Sequence, residues 1–175
     1  MPRSARIPAW CLGLALLAFA PTALSDDLPE YRLKAAFLYN FALFTEWPAS
    51  VGSTLNLCVY GPDPFGQEID ALQGKAVGDR HIVVHRVTRI ESLTACQVVF
   101  IADPSADGIS RVLSTLHGAT ALTVTDAPGA AKQGVALNMS VVQNKITFEA
   151  NLTAVRAANL KLSSKLLSLA TEVLQ

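Results

Sequence analysis

The residues of this 175-residue chain that could carry chemistry are few, and their spacing favours structural roles. His81 and His85 are four positions apart in a predicted strand, which places them on one face about 13 Å apart, too far to share a metal ion. Asp103 follows an apolar strand, where open α/β sheets bind ligands, but the position also suits a turn and a helix start. We interpret the histidines as polar positions on a sheet face and Asp103 as a turn residue.

Phosphate-binding and nucleophile motifs are missing from the sequence. Residues 61–66 (GPDPFG) follow a predicted strand, but they lack the G-x-G-x-x-G pattern, and Pro62 and Pro64 have no N–H to offer a phosphate. No G-x-S-x-G, C-x-x-C or H-E-x-x-H pattern occurs either. These observations favour a binding protein over an enzyme, with no cofactor.

The first 25 residues have the organisation of a secretory signal peptide. Two arginines precede an uncharged apolar run at 10–20, and small residues stand at 23 and 25, the two positions that a signal peptidase reads. We expect cleavage after Ser25, which leaves one exported domain over residues 26–175. A lipoprotein anchored through Cys11 is the alternative, although the three residues before Cys11 make a poor lipobox.

The mature chain is close to neutral. Two of the 14 basic residues lie in the signal peptide, which leaves 12 basic against 14 acidic residues and a net charge of −2. This balance argues against nucleic acid as a partner, because phosphate binding needs a basic face. No other stretch is apolar over the roughly 20 residues that a membrane span needs, so we expect no membrane insertion.

Two cysteines remain after the signal peptide, and each lies in a predicted strand. Cys58 belongs to LNLCVYG and Cys96 to ACQVVFIA, so the two sulfurs can reach each other if the strands are neighbours. An oxidising compartment favours a disulfide over two buried free thiols, which are the alternative.

Alternating strands and helices indicate an α/β fold with a largely parallel sheet. Strands are predicted at 55–60, 81–87, 97–102 and 120–125. Two helices are predicted at 28–45 and 67–72, and a third helix, after the strand at 97–102, ends near residue 116. One stripe of the first helix is predicted to face the core: Leu33, Ala36, Phe37, Asn40, Phe41 and Phe44. The alternative for this helix is a partner groove that uses Tyr39 and Trp47.

The last third of the chain organises the prediction. A strand at 135–142, a turn at Gln143-Asn144 and a strand at 145–150 form a hairpin, and leucines spaced by threes and fours predict a long helix from Leu152 almost to the end. The expected fold is a single α/β domain with a mixed, mostly parallel sheet flanked by helices, a C-terminal β-hairpin and a long final helix.

Five blocks of the mature sequence resemble the YfiR-like family of bacterial periplasmic proteins. They are YRLKAAFLYNFALFTEWP (31–48), GPDPFG (61–66), CQVVFIA (96–102), LTVTD (122–126) and FEANLTAVRAANLKLSSKLLSLA (148–170), in the family's order. The opening and closing blocks are the specific ones, and the similarity covers nearly all of the mature chain.

The resemblance implies a Gram-negative periplasmic repressor without catalytic residues. Such a repressor binds the periplasmic part of an inner-membrane diguanylate cyclase, which keeps cyclic-di-GMP synthesis and biofilm formation low. The resemblance also implies that an OmpA-like outer-membrane lipoprotein sequesters the repressor, that the repressor is a homodimer, and that Cys58 and Cys96 match the family's disulfide.

The expected partner-binding residues are Glu149, Leu137 and Val155. The family's acidic position in its final strand falls on Glu149, and alternation with Ile146 and Phe148 turns Glu149 away from the core. Leu137 and Val155 would form the apolar centre of the interface, although both also suit an ordinary core.

The sequence departs from the family pattern before the hairpin. Ala131 and Asn138 stand where some members carry a second cysteine pair, which removes one covalent link from the hairpin.

Three function classes stay open. A periplasmic signalling repressor is favoured, and a neighbouring gene for a membrane protein with a GGDEF-type domain would support it. Tight binding of a metabolite without a membrane partner would indicate a small-ligand binder, and turnover on an ester, sugar or phosphate library would indicate an enzyme.

Overall fold

The computed structural model describes residues 27–102 and 106–175. The predicted signal peptide at 1–25 and Asp103 lie outside the described residues. The α-helices are α1 (Asp27–Leu43), α2 (Ala106–Thr115), α3 (Leu152–Ala157) and α4 (Ser164–Leu167), and 3₁₀ turns lie at Gly66–Leu72, Ile90–Ala95 and Ala130–Gln133. The strands are β1 (Thr45–Glu46), β2 (Thr54–Tyr60), β3 (Ala76–Val77), β4 (Arg80–Val87), β5 (Val98–Ile101), β6 (Leu122–Thr125), β7 (Leu137–Val142), β8 (Lys145–Asn151), β9 (Lys161–Leu162) and β10 (Glu172–Leu174).

An eight-stranded sheet has the order β10-β8-β7-β6-β5-β2-β4-β3. The five strands from β7 to β4 in this order are mutually parallel. The flanking strands β3 and β8 are antiparallel to β4 and β7, and β10 is parallel to β8. A separate antiparallel pair joins β1 to β9. The prediction of a mixed, mostly parallel sheet flanked by helices is confirmed.

Both faces of the sheet are packed with apolar side chains, as a central parallel sheet requires. In β5 every residue is buried: Val98 and Phe100 face the cluster that includes α1, while Val99 and Ile101 face the cluster that includes α2. We call these sides the α1 face and the α2 face. The near-continuous apolar sequence of β5 follows from this double burial.

The disulfide between Cys58 and Cys96 is formed. Cys58 lies in β2, and Cys96 lies two residues before β5, the direct neighbour of β2. The two Cα atoms are 6.0 Å apart, and both residues are buried. The bridge connects positions 38 residues apart, so it restricts a large loop of the unfolded chain.

The long final helix was a wrong prediction. Asn159 adopts a left-handed φ of 56° just after α3, a conformation that ends helices and that asparagine tolerates. The chain then alternates between short segments, β9, α4 and β10. Leu160, Leu162 and Leu166 are still buried, but the spacing of two between the first pair belongs to extended chain rather than to a helix.

The predicted core stripe of α1 is also wrong in part. The buried face consists of Lys34, Ala35, Leu38, Phe41 and Ala42. Of the residues predicted to face the core, Leu33, Ala36 and Asn40 are exposed, and Phe37 and Phe44 are half-buried. A charged residue, Lys34, lies on this buried face, where its ammonium has partners inside the protein.

Candidate partner-binding surface

The hairpin turn determines which side chains of β7 and β8 share a face. Gln143 and Asn144 have φ values of 49° and 62°, the left-handed pair that a two-residue type I′ turn needs. The resulting register pairs Asn138 with Glu149 and Leu137 with Ala150. The predicted turn is therefore present, and it places Asn138 and Glu149 together on the α2 face.

Leu137 and Val155 do not lie at the surface. Leu137 is 0% and Val155 1% exposed, and both belong to the core cluster on the α1 face. They cannot supply the apolar centre of an interface in this conformation, which is a correction to the expectation from sequence. Their contribution is to hold β7 and α3 in place beneath the surface.

Glu149 is half-buried, and its neighbours in the sheet are polar. Its Oε2 accepts a hydrogen bond of 3.2 Å from Nδ2 of the buried Asn138. On its other side, Glu172 of β10 is the direct cross-strand neighbour of Glu149. Directly paired residues share a face, so the two carboxylates are adjacent.

This acidic row has no cation of its own. Across residues 27–102 and 106–175, neither Glu149 nor Glu172 forms an ion pair. The Oδ1 atom of Asn138 is buried without a hydrogen-bond partner in the same part of the chain. Like charges placed directly opposite each other destabilise a strand pair. A cationic or hydrogen-bond-donating group from a partner would therefore be stabilising beside these side chains.

Large apolar side chains are exposed around the same edge of the sheet. Val173 of β10 is 37% exposed and Leu169, just before β10, is 67% exposed. Val141 and Val142 are exposed too, but they lie beside the hairpin turn, at the opposite end of β8 from the residues that pair with β10. We call β10, Glu149 and Leu169 together the β10 edge.

A buried ionic cluster under α1 was not predicted from the sequence. Lys34 is 4% exposed, and its Nζ donates to Asp126 Oδ2 at 2.6 Å and forms an ion pair with Glu30. The Tyr31 hydroxyl donates to the same Asp126 oxygen at 3.0 Å. The spacing of four between Glu30 and Lys34 was the available sequence signal, while Asp126 is 92 positions away from Lys34.

The pKa values in this cluster follow from its contacts. Burial alone would lower the pKa of the Lys34 ammonium, but hydrogen bonds to Asp126 and Glu30 outweigh burial and raise that pKa. Burial, followed by the charge of Asp126, raises the pKa of the Tyr31 hydroxyl. The cluster therefore keeps its protons at neutral pH and attaches α1 to the loop after β6.

The opposite end of the sheet is held by a network of polar contacts around Arg86, although the buried Nε atom of Arg80 in β4 has no hydrogen-bond partner in the described residues. Arg86 of β4 donates to Asp63 at 2.7 Å, to Asp70 at 2.8 Å and to the Gly66 carbonyl at 2.6 Å. His81 and His85 are exposed on one face of β4, as interpreted from the sequence, and the His85 ring contacts Asn56 Oδ1 at 2.9 Å.

A cleft of about 330 Å³ lies between α2 and α3. Its lining is dominated by small and apolar side chains: Leu113, Leu116, His117, Gly118, Ala121, Thr123, Gly134, Ala154, Ala157 and Ala158. Ligand sites have volumes from about 300 Å³ upward, so the cleft has room for one small apolar group.

Two searches of the described part of the chain were negative. It contains no cluster of three or more His, Cys, Asp or Glu side chains that could hold a metal ion. It also contains no helix with the length and apolar character needed to cross a membrane.

The fold and this surface together describe a disulfide-bonded α/β binding domain. The chain belongs to the DUF4154 family, described as YfiR/HmsC-like, whose model matches residues 31–171. The YfiR-like family is one of periplasmic regulatory proteins. A search of curated proteins finds no match.

A solved structure supports the fold. The crystal structure of a conserved domain protein from Vibrio cholerae O1 biovar eltor is similar with a TM-score of 0.53 and 10% sequence identity. The similarity covers 82% of this chain and 60% of that one, so this chain spans less than two thirds of the Vibrio chain. At this identity the similarity concerns the fold alone.

Proposed function

We propose that this protein is a periplasmic repressor that binds the periplasmic part of an inner-membrane diguanylate cyclase and lowers cyclic-di-GMP synthesis and biofilm formation. The family match over residues 31–171 is the observation that carries the proposal. The proposal also includes export by a cleaved signal peptide, a homodimer, and sequestration by an OmpA-like outer-membrane lipoprotein.

The contact surface in this proposal is centred on Glu149. Its carboxylate is partly exposed and adjacent to Glu172, and no ion pair within the described residues neutralises either group. Leu137 and Val155 support this surface from below, since both are buried. A partner that presents a basic group there would gain a charge-assisted hydrogen bond.

Deletion of the gene is the direct test of the regulatory function. With the cognate cyclase expressed, we expect the deletion strain to contain more cyclic-di-GMP and to attach more strongly to surfaces than the parent, and a plasmid copy should reverse both changes. Unchanged cyclic-di-GMP in the deletion strain, with the cyclase present, would refute the proposal.

The cleft between α2 and α3 favours a second candidate function, a periplasmic small-ligand binder. Its volume of about 330 Å³ and its apolar lining suit a small apolar molecule. A metabolite that raises the melting temperature and binds with a stoichiometry of one in calorimetry, with no membrane partner present, would support this function. The variant Ala157→Trp, which narrows the cleft, should abolish that binding.

A further inference from the structure

The outer edge of β10 has unpaired backbone groups. β10 pairs with β8 on one side only, and no other strand of the described residues lies on its far side. In a strand paired on one side, alternate residues direct N–H and C=O groups outward, where they can pair with another chain. The sequence of β10, Glu-Val-Leu, contains neither the lysine nor the proline that commonly blocks such pairing.

The two faces of this edge require different side chains from a neighbour. Glu172 shares the α2 face with Glu149, and these two carboxylates have no cation in the described chain. Val173 is paired with Ala150, which faces the α1-face core, so Val173 extends that apolar face outward while remaining 37% exposed. A strand added beside β10 would therefore need a basic residue on one face and an apolar residue on the other.

We infer that the β10 edge accepts an extended segment of the partner protein as a ninth strand. The segment alternates basic and apolar residues with the period of two that a strand has, and it places a lysine or arginine beside Glu172 and an apolar side chain beside Val173. Backbone hydrogen bonds supply affinity, while the acidic row selects the partner. This inference rests on the proposed function, because it specifies how the cyclase would bind.

Hydrogen exchange gives the test that is specific to strand addition. The purified periplasmic part of the cognate cyclase is mixed with the full mature protein, and amide exchange at residues 171–174 is compared with and without it. Strand addition predicts that exchange of the outward amides slows by about tenfold or more, because they gain hydrogen bonds. Binding without any change at residues 171–174 would overturn the inference and leave the proposed function standing.

Variants test the chemistry of the segment. Glu172→Lys should weaken binding by about tenfold or more through repulsion of the basic residue, and Val173→Lys should weaken it by removing the apolar contact. Glu91→Lys, the same change at an exposed carboxylate in the 3₁₀ turn Ile90–Ala95, is the matched control and should bind as wild type. Circular dichroism melting verifies folding, and Glu172→Lys should melt no lower than wild type because the new lysine neighbours Glu149.

The outcomes separate the two claims. Wild-type affinity of Glu172→Lys, measured with protein that melts normally, would overturn the inference that the partner's segment places a basic residue beside Glu172. Failure of the wild-type protein to bind the cyclase would overturn the proposed function and the inference together. Protection at residues 171–174 together with weakened binding of Glu172→Lys would support both.

Discussion

The two edges of the eight-stranded sheet differ in how their charged groups are paired within the described residues. At the β3–β4 edge, Arg86 has three partners, and the Tyr39 hydroxyl donates to the Ala76 carbonyl of β3 at 2.9 Å. The Cys58–Cys96 disulfide reinforces the strands next to this edge. At the β10 edge, by contrast, two adjacent carboxylates have no cation and apolar side chains are exposed.

This difference separates stability from binding within one sheet. Charged groups that are already paired within the protein are less available to a partner, and their contacts contribute to the free energy of unfolding. The β10 edge contributes little to the free energy of unfolding, but another molecule can pair with its carboxylates and cover its exposed apolar side chains. Substitutions should therefore lower stability most where the contacts are made within the protein, and they should weaken binding most at the β10 edge.

The largest stability effect is expected from the disulfide. Cys58→Ala should lower the free energy of unfolding by about 4 kcal/mol, since the bridge closes a long loop. Urea unfolding measures this change. The double variant Cys58→Ala with Cys96→Ala should be no less stable than the single one, and recovery of two alkylated thiols from unreduced wild-type protein would contradict the disulfide.

The ionic cluster under α1 should have the next largest effect. Lys34→Ala leaves Asp126 and Glu30 without their cation and should cost about 3 kcal/mol, the lower end for breaking a buried pair because both carboxylates are partly exposed. The double variant Lys34→Met with Asp126→Asn should be more stable than Lys34→Met alone, because the carboxylate without a cation is removed. An exposed control, Lys161→Ala, should change stability by less than about 0.5 kcal/mol. Equal costs for Lys34→Ala and the control would contradict the importance of the cluster.

The same cluster predicts a loss of stability at high pH. The pKa values of Lys34 and Tyr31 are raised in the folded protein, so their contribution is complete below the unfolded values of about 10 and is lost as the pH rises through the folded values. Urea midpoints between pH 8 and pH 12 should fall at the upper end. In the variant Lys34→Met with Tyr31→Phe, the urea midpoint should change less with pH. An identical fall of the midpoint in the wild-type protein and in this variant would show that other groups cause the loss of stability.

Local sequence patterns predicted the elements whose conformation is decided locally. The turn at Gln143-Asn144 and the buried strand β5 followed from residue type and short-range alternation. The largely parallel character of the sheet also followed from the alternation of strands and helices.

The remaining features depend on contacts between distant residues. Lys34 on the buried face of α1 is paired with Asp126, 92 positions away, and no periodicity within the helix could indicate that partner. The leucines after α3 fitted a helix by spacing, but Asn159 and the pairing of β10 with β8 break that segment. The adjacency of Glu149 and Glu172 arises from the same pairing, so it was not visible in the sequence.

The smallest stability effect is expected at Glu149, where the largest effect on binding should appear. Glu149→Ala takes away the acceptor of the buried Asn138 Nδ2, but it also removes the repulsion between Glu149 and Glu172, so the two effects offset and the melting temperature should change little. Glu91→Ala, at an exposed carboxylate remote from the β10 edge, is the matched control for both properties.

Calorimetry with purified partners tests the central claim, that the β10 edge is the partner-binding surface. Wild-type protein, Glu149→Ala and Glu91→Ala are each titrated with the periplasmic part of the cognate cyclase and with the sequestering lipoprotein. We predict that Glu149→Ala binds at least one of them clearly more weakly than wild type, while Glu91→Ala binds both normally. Wild-type affinity of Glu149→Ala for both partners would contradict the claim and move the interface to α1 and the segment after it, with Tyr39 and Trp47.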